Sequence, residues 1–343
     1  MDNQKIAFLK VLTETPGPSG SEEAVRSLII ENIRPYVKTL TVDPLGNLIA
    51  TKGTGKDFLI TAHMDEVGFM ATKICDDGMI KFSPIGGISP ENLPSKRVYF
   101  PKSNAYGIIG AKPIHLSRDK KEKVRFIDLY IDIGTSSKEE TEQIICLGDF
   151  AIFDTKTETA FGNMIKGKAV DDRLGCFLLC DLIKDPTIDN GTFLFTVQEE
   201  TGLAGAAAFA NKNSFPYAIA LDVTTPNDLP GVSAPLTVCK IGSGPVISFA
   251  DRRCIYDNAL ISEIFALLKE NNVKCQTKAL SVGGNEASAF QQEGIGMRVI
   301  SISIPCRYIH GPVGIFSEFD LEETRRAILC VLPYLKLKEA KND

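Results

Sequence analysis

The stretch FLFTVQEETG (residues 193–202) is the most informative in the sequence, because an apolar run ends there on two adjacent carboxylates. The letters FLFTV predict a buried strand, and Gly202 indicates a turn. Neighbouring strand residues point to opposite faces, so Glu199 and Glu200 are expected to face different directions. An isolated pair of this kind is explained most simply as two surface acids in a solvated loop, since glutamate is seldom buried without a partner or a metal.

The composition is that of an ordinary globular protein. The chain has 343 residues, 44% hydrophobic and 24% charged, which is enough for one large core or two domains. The longest apolar runs fall far short of a membrane span, and a net charge of −5 with dispersed basic residues argues against nucleic acid or membrane as partners. Nine scattered cysteines without a CxxC pair, and an N-terminus unlike a signal peptide, favour reduced thiols and a cytoplasmic location.

Helix and strand patterns alternate at both ends of the chain but not in its middle. Residues 1–70 and 166–343 combine apolar strands with helices, which predicts a mostly parallel α/β sheet covered by helices. Residues 71–165 contain short alternating segments broken by glycine and proline, which is typical of a small β-rich barrel or sandwich. We therefore predict one α/β domain with a β-rich insertion, and Ser21 as the N-cap of an early helix.

Acids and histidines gather at the predicted carboxyl ends of strands, where open α/β sheets bind their ligands. The residues that follow apolar strands in this way are His63, Asp65, Glu199, Glu200, Asp222 and His310. Asp171 and Asp172 start a predicted helix, where an aspartate is often only a cap. Any one of these residues alone is more often structural than functional.

The combination is different, because two imidazoles and several carboxylates on one rim match the ligands of a divalent metal such as zinc. Acids gathered without a cation would raise one another's pKa. The set exceeds what one four-coordinate metal with an open position needs. It therefore favours two metals that share a bridging carboxylate and hold a water molecule between them.

Several blocks of sequence together resemble the M42 family of dinuclear metallo-aminopeptidases. The blocks that carry the candidate residues are AHMDEVGFM, GKAVDDRLG, TVQEETGLAGA, ALDV and PCRYIHGP, and the similarity extends to PSGSEE, DPLGNLIA, GIIGAKPIH and DLYIDIGTSSKEE. The resemblance covers nearly the whole chain. It implies an enzyme that releases N-terminal residues from peptides with a free N-terminus by means of a water activated by two metals.

The resemblance also implies which residues hold the metals. His63 and Asp222 would bind one ion, Glu200 and His310 would bind the other, and Asp171 would bridge the two. The ions would be zinc, with cobalt or manganese as alternatives.

Two further residues have catalytic roles by the same resemblance. Glu199 would be the general base that takes a proton from the water and later helps to protonate the leaving amine. Asp65 would hold the imidazole of His63 in the required tautomer. In related sites the peptide bond between Asp171 and Asp172 is often cis.

The fold implied is a phosphorylase/hydrolase-like α/β catalytic domain, residues 1–70 and 166–343, with an inserted PDZ-like β domain, residues 71–165. The insert would make dimer contacts, and the dimers would assemble up to a tetrahedral dodecamer. For His115 the resemblance suggests a place near a subunit contact or a neighbouring active site. A hydrogen-bonded structural histidine explains it equally well.

The chain departs from the family at GGNEAS, where Asn285 and Glu286 replace the usual Thr-Asp, so the side-chain preference is open. Arg252 and Arg253 would favour an acidic substrate if they line the pocket, and they are otherwise a solvated basic pair. The alternatives are an N-acyl-amino-acid deacylase or carboxypeptidase on the same scaffold, and a non-catalytic peptide-binding protein. A glycosidase would leave the histidines unexplained, and the chain has no tryptophan for stacking on sugars.

Overall fold

Four parallel strands form the centre of the large sheet in this computed structural model, which describes residues 1–112, 123–279 and 281–340. The strands are β1 Thr39–Val42, β2 Leu48–Lys52, β3 Leu59–His63, β4 Gly68–Ile74, β5 Ile80–Ile85, β6 Arg97–Phe100, β7 Ala105–Gly110, β8 Tyr130–Asp132, β9 Phe150–Phe153, β10 Glu158–Thr159, β11 Met164–Gly167, β12 Gly191–Thr196, β13 Tyr217–Thr224, β14 Val246–Ile247, β15 Gln276–Thr277, β16 Arg298–Arg307 and β17 Gly314–Ser317. The helices are α1 Asn3–Glu14, α2 Glu23–Ile33, α3 Lys138–Glu142, α4 Val170–Lys184, α5 Ala204–Ala210, α6 Asn258–Glu270, α7 Ala287–Gln292 and α8 Glu318–Glu339.

The large sheet is mixed. The alternation of helix and strand predicts a mostly parallel sheet, and this is correct only for the four central strands. Its main path is β1-β2-β12-β3-β13-β16-β17-β11-β10, and β14 and β15 pair beside β16. The pairs β12–β3, β3–β13 and β13–β16 are parallel, while the outer pairs on the main path are antiparallel. Strands β3, β12 and β13 are buried along their whole length, which explains their continuous apolar sequences.

The parallel register brings the carboxyl ends of the central strands to one edge. Thr196 at the end of β12 lies opposite His63 at the end of β3. Asp222 in β13 lies opposite Ser303 in β16. Residues that follow these strands therefore meet at the same rim of the sheet.

A second sheet closes into a six-stranded barrel in the order β4-β5-β8-β7-β6-β9, between Gly68 and Phe153. It has a hydrophobic core of its own. Phe69 lies at the centre of that core and packs edge-on against Phe82 and Phe153, at centroid distances of 5.1 and 5.2 Å.

Helices α4, α7 and α8 pack on the large sheet, and α1 packs on α4. The prediction of Ser21 as an N-cap is wrong. Helix α2 begins after Glu22, and no side chain caps it. The Glu22 carboxylate instead accepts the backbone N–H groups of Gly20 and Gln198, at 2.7 and 3.2 Å, and so joins the start of α2 to the segment after β12.

Each of the nine cysteines is described and is a free thiol. No helix among the described residues combines the length and the apolar character that crossing a membrane requires.

Candidate metal centre and active site

The rim of the parallel strands gathers two groups of possible ligands. In each group the ligand atoms lie within 4.8 Å of one another, and the groups are His63, Asp172 and Asp222, which we call the inner group, and Asp171, Glu200 and His310, which we call the outer group. The sequence predicted five of these six residues as ligands. It treated Asp172 as a possible helix cap.

Asp171 joins the two groups. Its Oδ1 lies 3.2 Å from Nε2 of His63, and its Oδ2 lies 3.3 Å from Nε2 of His310. Nε2 of His310 also lies 3.3 Å from Oε2 of Glu200. A carboxylate that reaches one histidine with each oxygen has the arrangement that a bridging ligand needs.

The start of α4 is shaped to present both aspartates. Asp171 (φ −83°, ψ 110°) and Asp172 (φ −114°, ψ 43°) depart from helical backbone, and the peptide bond between them is cis. Asp172 also accepts the N–H of Gly175 at 3.0 Å, so it caps the helix with one oxygen and faces the inner group as well.

The two histidines are oriented through their Nδ1 atoms. Nδ1 of His63 lies 3.2 Å from the backbone oxygen of Asp65 and 3.4 Å from its Oδ1. Nδ1 of His310 lies 3.1 Å from the backbone oxygen of Gly87, which follows β5 of the barrel. In both residues a hydrogen bond at Nδ1 leaves Nε2 facing the acids. A histidine that binds a metal through Nε2 needs this orientation.

Asp65 does more than contact His63. Its Oδ1 accepts the N–H of Glu199 at 3.0 Å, and its Oδ2 accepts the N–H of Glu200 at 3.1 Å and the hydroxyl of Ser19 at 2.6 Å. It is fully buried. One carboxylate therefore holds the backbone of both glutamates that follow β12, a role that the sequence did not indicate.

Burial and mutual repulsion shape the electrostatics of the acids. Burial raises the pKa of Glu199 and that of Glu200 to about 8, and neighbouring carboxylates add to the shift. The pKa values of Asp172 and Asp222 are raised for the same reasons. Burial also opposes ionisation of Asp171, but hydrogen bonds from the two histidines outweigh it and hold its pKa below the usual range.

These residues fit divalent metals. Within the described part of the chain, Oδ2 of Asp172 and Oε1 of Glu200 are buried polar atoms without a hydrogen-bond partner. Carboxylate oxygens of this kind are costly to bury unless a cation satisfies them. The donors are imidazole nitrogens and carboxylate oxygens, which zinc, cobalt and manganese accept.

A cavity of about 360 Å³ opens onto the centre. One side is acidic and is formed by Asp171, Glu199 and Asp222 together with the two histidines. The other described lining residues are uncharged apart from Lys278, and they combine polar side chains with the apolar Val223, Val282 and Ile309.

Comparison with known proteins decides the family. Residues 46–326 match the family described as M42 glutamyl aminopeptidase. The chain belongs to the M42 peptidase family.

Solved structures and curated relatives agree with that assignment. A TET aminopeptidase from a marine-sediment Thaumarchaeota archaeon is 32% identical, with a TM-score of 0.92 and 96% of each chain covered. The TET1 peptidase of Pyrococcus horikoshii, described as assembling into a tetrahedron or a large octahedral shell, is 34% identical, with a TM-score of 0.86 over 96% of this chain and 99% of that one. A lysyl aminopeptidase of Pyrococcus furiosus is 29% identical over 96% of this chain and 97% of its own length. This M42 peptidase is thus a hydrolase, a metal-dependent aminopeptidase.

The hypothesis that Arg252 and Arg253 line the substrate pocket of the M42 peptidase is wrong. Both are exposed and neither belongs to the described lining. The Asp251 carboxylate turns this loop by accepting the N–H of Arg253 at 2.7 Å, and Lys278 supplies the basic group of the pocket instead.

The structure shows what Asn285 and Glu286 of the GGNEAS segment contact. Asn285 lines the cavity and donates to Oγ of Ser301 at 2.6 Å. Glu286 does not reach the cavity lining. Its buried carboxylate accepts the hydroxyls of Thr61 and Thr196, on the two strands that precede His63 and Glu199. His115 lies outside the described residues.

Proposed function

We propose that this aminopeptidase holds two divalent metal ions per subunit and removes single residues from the N-terminus of peptides. His63 and Asp222 would bind the first ion, Glu200 and His310 the second, and Asp171 both. The observation that supports this assignment is the position of the Asp171 carboxylate, which reaches a histidine of each group at 3.2 and 3.3 Å.

The chemistry that two such ions supply when bound is activation of a water molecule near neutral pH and polarisation of the scissile carbonyl. Zinc is the ion we propose first, because imidazole and carboxylate are its usual ligands, with cobalt or manganese as alternatives. Asp172, whose second oxygen has no hydrogen-bond partner among the described residues, adds a further carboxylate beside the first ion.

Glu199 is the proposed general base. It lines the cavity and belongs to neither ligand group. A carboxylate in this environment accepts a proton from the attacking water at its Oε atoms and returns it to the leaving amine. Asp65 holds the Glu199 backbone in place for this transfer and orients His63.

The acidic side of the cavity explains selection of a free N-terminus. The acids hold the two ions, and such ions can bind the lone pair of a neutral α-amine, whereas an N-acyl group removes that lone pair. The cavity volume of about 360 Å³ suits one residue and its neighbour better than a folded segment of chain.

The preference for the side chain of the first substrate residue follows from the one basic group in the described cavity lining. The family description names glutamate, while one relative is a lysyl aminopeptidase, so membership alone does not decide the charge. Nζ of Lys278 donates to the backbone oxygen of Val282 at 2.8 Å, and among the described residues it makes no other hydrogen bond, so its other two N–H groups can bind a ligand. We propose an acidic first residue. Lys278→Met should reduce kcat/KM for glutamyl substrates by roughly 10-fold or more relative to leucyl ones, whereas Arg252→Met should not.

The test of the function is a panel of aminoacyl p-nitroanilides, each with a free amine and as its N-acetyl derivative, after dialysis against a chelator and re-addition of zinc, cobalt or manganese. We expect turnover of the free amines to return with metal. Release of acetate from the N-acetyl forms, with the p-nitroanilide bond left intact, would indicate the alternative, an N-acyl-amino-acid deacylase. Activity on peptides with blocked N-termini and free C-termini would indicate a carboxypeptidase.

Organisation and location complete the proposal. We propose a catalytic domain of residues 1–70 and 166–343 with a phosphorylase/hydrolase-like fold, and a PDZ-like insert of residues 71–165 that makes dimer contacts. Tyr106 and Ile108 on β7 are 54% and 53% exposed, and apolar side chains of this kind support such a contact. A tetrahedral dodecamer is proposed by analogy with the TET1 peptidase. The unpaired cysteines support a cytoplasmic location.

A further inference from the structure

Two buried cations converge on one buried carboxylate beside the candidate metal centre. Nζ of Lys168 lies 2.7 and 2.8 Å from the two carboxylate oxygens of Glu66, and Nη2 of Arg173 lies 3.5 Å from Oε1. Each of the three side chains is 3% exposed or less. We call these residues the Glu66 cluster. Glu66 lines one small cavity together with Asp171 and Glu200, so the cluster adjoins the outer group directly.

The two cations flank the aspartates that both ligand groups use. Lys168 precedes Asp171 and Asp172, and Arg173 follows them. Because these aspartates leave helical geometry, regular helix hydrogen bonds do not fix their backbone. The ends of the segment are instead tied to the Glu66 carboxylate, three residues after His63.

The cluster also holds the N-terminal loop that supports Asp65. Glu66 and Gly17 exchange two bonds: the Gly17 N–H donates to Oε1 at 3.2 Å, and the Glu66 N–H donates to the Gly17 oxygen at 3.0 Å. Ser19, two residues further on, donates to Asp65. Arg173 secures the preceding helix end through the backbone oxygens of Leu12 and Thr15, at 2.6 and 2.9 Å.

We propose that Glu66 is a positioning residue for the metal centre, fixing the Asp171–Asp172 segment and the Ser19–Asp65 support relative to His63. The inference rests on the proposed metal ligands. Glu66 acts through Lys168 and Arg173 and contacts neither substrate nor metal. Side chains that orient metal ligands from behind typically change metal affinity by roughly 10–100-fold when replaced, and we expect an effect of that size here.

The competing explanation is that the cluster only stabilises the fold. The control is an ion pair at the other end of α4, the helix that carries Arg173. There, Nη2 of Arg325 on α8 lies 2.6 Å from Oδ2 of Asp185, the residue that follows α4. Arg325→Met should lower the melting temperature without changing metal binding.

Glu66→Gln alone removes the negative charge that neutralises two buried cations, Lys168 and Arg173, and so could unfold the protein. The double variant E66Q/K168M is therefore tested beside it, because it removes one charge of each sign. Metal-free wild type, both variants and R325M are titrated with Co²⁺, and the visible absorption of the bound ion and the melting temperature are recorded. We expect E66Q/K168M to remain folded, to bind Co²⁺ at least about 10-fold more weakly and to show an altered spectrum.

The outcomes separate this inference from the proposed function. Wild-type Co²⁺ affinity and spectrum in folded E66Q/K168M would overturn the positioning role and leave the proposed centre intact. A wild-type protein that binds no Co²⁺ would overturn both. Weakened binding in R325M equal to that in E66Q/K168M would also overturn the positioning role, because it would trace the effect to stability.

Discussion

The inner and outer ligand groups differ in how the fold holds them. His63 ends β3 and Asp222 lies in β13, two directly paired parallel strands, and the side chain of His63 is 2% exposed. His310 instead follows β16 in a loop, has a positive φ of 55°, and its side chain is 35% exposed. His63 and Asp222 of the inner group lie on paired strands, whereas Glu200 and His310 of the outer group lie on loops, and Asp171 and Asp172 come from the same start of α4.

This structural difference predicts that the two ions differ in affinity and in exchange rate. Ligands on paired strands are held more precisely than ligands on loops, so the inner ion should be bound more tightly and exchange more slowly. The outer ion should be the one that responds to loop position, because Nδ1 of His310 is held by Gly87 of the barrel stretch.

The largest effect is expected for Glu199→Gln, which removes the base but no ligand of either group. Turnover should fall by about 10²–10⁴-fold, the usual contribution of a general base. Metal content, measured by mass spectrometry after desalting, should stay at two ions per subunit. The matched control is Glu200→Gln, which should lose the outer ion. Wild-type turnover in Glu199→Gln would show that Glu199 is not the general base.

The two histidines should not be equivalent. His310→Ala should keep one ion per subunit, because the inner ligands remain in place. His63→Ala should lose the inner ion and also weaken the outer one, since His63 contacts the shared Asp171. We expect affinity losses of roughly 10–100-fold or more at the site that loses its ligand, measured by competition with a chromophoric chelator. Loss of the same single ion in both variants would contradict the comparison.

A smaller, kinetic difference should separate the ions in the unaltered protein. On addition of excess chelator, metal should leave in two phases, with the faster phase from the outer group, because its histidine is more exposed. Stopped-flow absorption of the cobalt-loaded protein would resolve the phases. In Glu200→Gln only the slow phase should remain. A single phase with both ions leaving together would show that burial does not distinguish the groups.

The mildest effect is the pH dependence of the metal-free protein. Glu199 and Glu200 have pKa values raised to about 8 from 4.5, mainly by burial, so the folded state holds protons that the unfolded chain has lost. Their contribution to stability is complete below pH 4.5 and is lost as the pH rises through 8. His310, with a pKa raised to about 10 from 6.5, acts in the same direction.

We therefore expect the melting temperature of metal-free protein to fall by several degrees between pH 5 and 8. Bound metal should remove the fall, because it replaces those protons. Scanning calorimetry with and without zinc would measure both curves. A metal-free melting temperature that rises over this range would contradict the assignment.

Residues at the ends of apolar runs were predictable, and residues defined by distant partners were not. His63, Asp222 and the Glu199–Glu200 pair follow strands whose pattern is plain in the sequence, and parallel pairing brings such ends together. The sequence does not predict Asp172 as a member of the inner group, because an aspartate at a helix start has the same appearance whether it caps the helix or faces a metal.

Glu66 and Lys278 show the limit of sequence patterns. Lys168 lies 102 residues from Glu66, so nothing in the sequence indicates their pairing. Lys278 is a single basic residue in a loop, and the adjacent pair Arg252 and Arg253 was the more conspicuous signal, although neither arginine belongs to the described lining of the cavity. The parallel centre of the sheet was predictable, because the patterns that indicate strands and helices involve residues close together in the sequence. The contents of the pocket depend on loops that only the folded chain brings together.

The most direct test of the central claim is an anomalous-difference map of crystals of the metal-loaded protein, recorded at the absorption edge of the metal. We expect two peaks per subunit, one between His63 and Asp222 and one between Glu200 and His310, with Asp171 in contact with both and the inner peak at higher occupancy. A single peak, or peaks away from these residues, would contradict it.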